Sequence, residues 1–143
     1  MKLFSSFFFA LISLLIPFFG LASSSVASAS ASLFKLSQDG KGVFVGHVID
    51  DRDGSVFDAK NKFIGFSAAD GGIFDSHSDL VGFCDDSGAV TRGRESLAFV
   101  TAGGQLVDLL NNNRLLGWVD GESGTPSKKE KCGIALLFLL GKL

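Results

Sequence analysis

The sequence predicts an all-β repeat fold: about five tandem β-hairpins closed into a flower- or barrel-like arrangement, with a short apolar C-terminal segment docked on it. Three observations lead there. First, one phrase recurs, as Phe44-Val45-Gly46-His47, Phe63-Ile64-Gly65-Phe66, Leu80-Val81-Gly82-Phe83, Leu97-Ala98-Phe99 and Leu115-Leu116-Gly117-Trp118. Such repetition marks one supersecondary unit whose neighbours complete its core. Second, a β-prone run precedes each of the last four phrases, as Val56-Phe57-Asp58, Ile73-Phe74-Asp75, Ala89-Val90-Thr91 and Leu106-Val107-Asp108. Third, turn residues punctuate the units at Asp53-Gly54, Asp70-Gly71-Gly72, Asp86-Ser87-Gly88 and Gly103-Gly104. Glycine there supplies the positive φ that hairpin turns need.

Residues 1–31 read as a signal peptide. Lys2 opens an apolar run rich in Phe and Leu that reaches Leu21 with no acidic residue, and Ala27-Ser28-Ala29 and Ala29-Ser30-Ala31 both fit the A-x-A cleavage pattern. Cleavage is expected after Ala29 or Ala31. The competing reading is a retained anchor, since the run approaches the roughly 20 residues that span a bilayer. Of 143 residues, 112 remain after a cut at Ala31, with formal charge −3, enough for one domain with a modest core. So weak an acidity argues against nucleic acid or an anionic membrane surface as the main partner, because a polyanion is bound through a basic patch.

Residues 32–119 form the expected repeat domain, ten short antiparallel strands in five hairpins. Aligned, the repeated phrases give an aliphatic column (Val45, Ile64, Val81, Leu97, Leu116), a Gly/Ala column (Gly46, Gly65, Gly82, Ala98, Gly117) and a largely aromatic one (His47, Phe66, Phe83, Phe99, Trp118). Strand periodicity puts the first and third columns on one face and the second on the other. A glycine recurring at one place signals close approach to the backbone, and an aromatic ring of the adjoining unit is the expected neighbour. Asp58, Asp75, Thr91 and Asp108 are taken as equivalent, and the first unit is taken as the least well formed. Closing the hairpins around an axis removes exposed edges.

Residues 120–131 are polar and rich in turn formers, which predicts a linker. Residues 132–143 are apolar over Cys132 to Leu140, too few for a transmembrane helix, and are expected to pack on the domain as an edge strand or a short helix, with contact to a membrane or a partner as the alternative.

The order of strand, Asp, turn, aliphatic-Gly-aromatic and then Asp-Gly resembles the bacterial four-fold beta flower domains, small exported repeat proteins in which hairpin petals surround an axis. The resemblance spans roughly Leu33 to Val119. It implies the fold, and it implies no defined activity. This chain departs from the pattern in holding five units.

Chemistry-bearing residues are few. Cys84 and Cys132 form a possible disulfide in an exported chain, with a buried free thiol at Cys84 as the alternative. Asp58, Asp75 and Asp108 share a column and are the weak metal candidates, since a ring of carboxylates could hold Ca²⁺. The plainer reading is that each accepts hydrogen bonds from its own turn. Asp50-Asp51-Arg52-Asp53-Gly54 fails the calcium-loop pattern, because Ile49 and Lys60 stand where ligands belong. His47 and His77 have no nucleophile or carboxylate at diagnostic spacing. The expectation is therefore an exported structural or binding module, with no catalysis and no cofactor. Its partner would be a protein, a glycan or an envelope component, and exposed aromatics would favour a glycan. The alternatives are a metal-dependent hydrolytic enzyme using the Asp column and a histidine, or a module anchored by its N-terminal segment.

Overall fold

The computed structural model describes residues 30–50, 53–121 and 124–143. The expected signal peptide, up to Ala29, lies outside the described residues. Ten strands follow in order: β1 (Ser30–Leu36), β2 (Gly42–Ile49), β3 (Ser55–Asp58), β4 (Phe63–Ser67), β5 (Gly72–Asp75), β6 (Leu80–Cys84), β7 (Ala89–Arg92), β8 (Glu95–Val100), β9 (Gln105–Asp108) and β10 (Arg114–Gly121). One helix, α1 (Lys128–Leu139), ends the chain. Every strand pairs antiparallel with its sequence neighbours, and β10 pairs with β1, so the sheet closes into a barrel. The five hairpins of the sequence reading are thus the five hairpins of the molecule. The first is the best formed, with strands of 7 and 8 residues, contrary to expectation. Its partner across the barrel seam is β10, itself 8 residues long, so closure draws both into long pairings.

Each hairpin carries a β-bulge at the same place. Pairing runs Leu33 to Gly46 and then Phe34 to Phe44, which leaves Val45 as an extra residue. The same slip leaves Ile64, Val81, Leu97 and Leu116 unopposed in the other four. A bulge adds one residue to one strand and so breaks the two-residue alternation of faces. The expected grouping of aliphatic with aromatic columns is therefore wrong. Ile64 and Leu97 are buried, and Val45, Val81 and Leu116 pack on the core beside the buried Gly/Ala column, while the aromatic column faces outward. Glycine recurs because the paired strand's backbone comes close. A Cβ built on Gly46, Gly65 or Gly117 would lie 2.2, 2.3 or 2.2 Å from the carbonyl oxygen of Phe57, Phe74 or Phe34. No ring of an adjoining unit is the neighbour.

The lumen is filled by α1. Its residues Cys132 to Leu137 are buried all round, and it touches β1, β2, β4, β5, β6, β8 and β10, strands on every side of the barrel. A helix apolar on all faces needs such surroundings. The small column makes room for it: a Cβ on Gly65 would fall 2.7 Å from Leu136 Cδ2, and one on Gly82 2.7 Å from Leu139 Cδ1. In return Gly133 of the helix sits against Val48. The core is the interface between this helix and the inward columns, including Leu33, Val56, Ile73, Val90 and Leu106 from the first strand of each hairpin.

The tail is therefore a helix, and it begins four residues earlier than its apolar stretch. Ser127 and Glu130 form a capping box: the Ser127 hydroxyl accepts from the Glu130 amide, and Glu130 Oε1 accepts from the Ser127 amide at 3.0 Å. This reciprocal satisfaction of end groups turns Lys128 to Lys131, expected as linker, into the first turn. At the opposite end, Arg92 Nη2 donates to the Leu139 carbonyl at 2.9 Å. A cation on the carbonyl end of a helix also complements its dipole.

Candidate functional site

The hairpin tips account for the aspartates. Among the described residues six turns share one hydrogen-bond pattern, as in Asp75, whose amide donates to the Asp79 carbonyl while the Ser78 amide donates to the Asp75 carbonyl. This is a type I turn closed by a residue at positive φ, filled by Gly40, Asn61, Gly71, Ser78, Gly88 and Gly104. Aspartate at the first position accepts from the turn's own amides. Asp58 Oδ1 takes Lys60 and Lys62, each at 2.9 Å, and Asp75 Oδ1 takes His77 at 2.8 Å and Asp79 at 3.0 Å. Asp85 does the same with Ser87 and Ala89. The buried Asp108 accepts from the Leu110 amide and from Asn111 Nδ2. The carboxyls respond to these donors. Lys62's amide holds Asp58 below the usual carboxylate range, the amides of Asp79 and then His77 lower Asp75, and the Ser87 hydroxyl leads in lowering Asp85.

The structure does not bring the three weak metal candidates together. Among the described residues no three His, Cys, Asp or Glu side chains gather around a point that could hold an ion. The fourth unit also aligns differently from the sequence reading. Val90 pairs with Ala98 as Val56 pairs with Gly65, so Arg92 occupies the aspartate position and Thr91 stands among the outward residues. A hairpin shorter by one residue caused the misalignment. Arg92 is then the residue that clasps the helix end. His47 stacks on Phe57 with centroids 5.1 Å apart, and His77 is exposed in its turn. Asp51 and Arg52 of the acidic cluster lie outside the described residues, and the Asp53 carbonyl accepts from the Ser67 amide.

Cys84 and Cys132 are joined by a disulfide with Cα atoms 5.6 Å apart. Cys84 stands in the inward column two residues beyond Gly82, level with Val48, Ser67, Val100 and Val119, so the bridge ties the helix to the barrel wall from inside. Ser67 is the polar member of that column, 2% exposed, and its hydroxyl has no partner among the described residues.

What the barrel presents to its surroundings is aromatic. Where one hairpin meets the next, an outward residue of the return strand pairs with one of the following strand, and three of these pairs are ring stacks. They are Trp118 with Phe34 at 5.6 Å, His47 with Phe57, and Phe66 with Phe74 at 5.1 Å. Phe44 and Phe63 add edge-on contacts. Phe44, Phe63, Leu80 and Phe83 are 38–52% exposed. The belt is most elaborate where β10, β1 and β2 meet, and two grooves open there. One of about 540 Å³ includes Trp118, Leu36, Leu115, Gln105 and Asp120 in its lining. The other, about 630 Å³, lies at the barrel mouth beside Lys35, Val43, Arg114 and Leu143. Of these, Trp118 was legible as the end of the aromatic column. Gln105 and Asp120 carry no sequence signal of their own.

No family model, curated protein or solved structure matches this chain.

Proposed function

We propose that the chain is an exported, non-catalytic binding module that works from its outer surface. One observation carries this reading: the barrel interior is occupied by the chain's own helix, while large aromatic side chains remain partly exposed outside. Burial is the ordinary fate of such side chains, and exposed apolar surface in quantity is a mark of interaction. The Asp column supports the same reading, because each turn already uses an acceptor oxygen of its aspartate.

The Cys84–Cys132 bridge favours an oxidising compartment. Cleavage after Ala29 is the cut the fold tolerates, since Ala31 is buried in β1 and pairs with Gly121. A cut after Ala31 would remove that buried residue and leave Gly121 without its pairing. The test is the intact mass of protein recovered from the extracytoplasmic fraction, with and without reduction and alkylation. A chain starting at Ser30, two hydrogens lighter before reduction, is the expected result. Full-length protein in the membrane fraction with two free thiols would overturn it.

A further inference from the structure

We infer that the groove beside Trp118 binds a neutral saccharide, the indole stacking on the sugar's C–H face while Gln105 and Asp120 hydrogen-bond its hydroxyls. This rests on the reading of the chain as a surface-acting binding module and names the ligand of that surface.

Three features favour a sugar. The first is a ring fixed in place before any ligand arrives. Trp118 stacks on Phe34 at an interplanar angle of 19°, and its six-membered ring lies so close over Gly42 that a Cβ there would fall 2.6 Å from Cζ2. A preorganised ring loses little conformational entropy on binding. The second is a pair of polar groups at its side. Gln105 faces Trp118 directly across the β9–β10 ladder, and Asp120 lies two residues along β10 on the same face. Both are exposed, and neither side chain has a hydrogen-bond partner among the described residues. An amide offers both donors and an acceptor, and a carboxylate offers acceptors, which together suit hydroxyl groups. The third is the shape: an open groove of about 540 Å³ with glycine backbone, Gly103 among it, along its wall. Apolar surface with a few convergent polar groups is the usual make-up of a small-ligand site. Asp120 disfavours acidic sugars by like-charge repulsion, so the saccharide is neutral.

The chain contains one tryptophan and no tyrosine, so intrinsic fluorescence reports on this groove alone. Titrating the oxidised protein with maltohexaose, cellohexaose and chitohexaose is expected to shift or quench the emission saturably with at least one of them. Gln105→Ala and Asp120→Ala keep the reporter and, being exposed, are expected to keep the thermal transition. Each should weaken binding about tenfold, the loss of roughly one hydrogen bond to a polar or charged group. Phe83→Ala, on the far side of the belt, should leave affinity unchanged. Overturning results are no saturable change with any of the three sugars, equal affinity in the Gln105 and Asp120 variants, or a change produced only by phosphatidylglycerol vesicles. Because export is read separately from the intact mass, failure here with correct export removes the ligand class and leaves the exported module standing.

Discussion

Gly117 and Ser67 show how much of this molecule is decided by single atoms. A methyl group on Gly117 would sit 2.2 Å from the Phe34 carbonyl oxygen, within paired backbone that cannot swing away. Gly117→Ala is therefore expected to cost about 3 kcal/mol, at the upper end for overpacking, read as a lower urea midpoint at unchanged slope. Ala98 fills the same column, fully buried, in the fourth unit, whose hairpin is one residue shorter. Ser67 errs in the opposite direction. Its buried hydroxyl has no partner among the described residues, so Ser67→Ala removes an unsatisfied group and is expected to stabilise by about 1 kcal/mol, measured by the same titration.

The repeated element is a hairpin with a bulge in its return strand and, in most units, an aspartate at its tip. The carboxylates of Asp58 and Asp75 at two tips, and of Asp85 in the turn that joins the third hairpin to the fourth, are held below the usual range by their turn donors. Between the lowered folded value and the unfolded value of about 3.9, the unfolded chain binds more protons. The stabilisation is thus fully present above the unfolded value and is lost as pH falls through the folded one. Asp75→Asn keeps the acceptor oxygen and abolishes that titration. It is expected to be less stable than wild type at neutral pH by the increment that wild type loses on acidification, so that the two profiles converge below about pH 4, as followed by thermal melts across pH.

Taken whole, the barrel and the helix are one folding unit. Closure removes sheet edges, but ten strands leave a lumen that their own inward side chains do not fill. Ile134, Leu136 and Leu137 fill it, each fully buried and contributing about 1.5–3 kcal/mol. A chain ending at Pro126 is expected to lose its cooperative unfolding transition by calorimetry. The disulfide closes a loop over a separation of 48 residues, so a Cys84→Ala/Cys132→Ala variant is expected to lose about 4 kcal/mol on the chain-entropy account, read from the urea midpoint. A variant equal to wild type would mean that packing alone holds the helix.

Turn chemistry made the hairpins countable before any coordinates. Asp and Ser at a turn's start and Gly at its positive-φ position act within five residues, so five units, ten strands and the plain role of the aspartates were all legible. So was the last apolar segment's need for a buried place, because its composition admits no solvated face. The direction of the aromatic column was not legible. It depends on an extra residue in each return strand, and a bulge exists only relative to a partner strand. Nor could the chain reveal that the helix enters the barrel rather than covering it, that Arg92 closes its end, or that Gln105 stands beside Trp118. Each of these juxtaposes residues far apart in the chain or across a ladder. Short-range rules act on dihedral angles and neighbouring donors, whereas the lumen, the bulge register and the groove exist only once the sheet has closed.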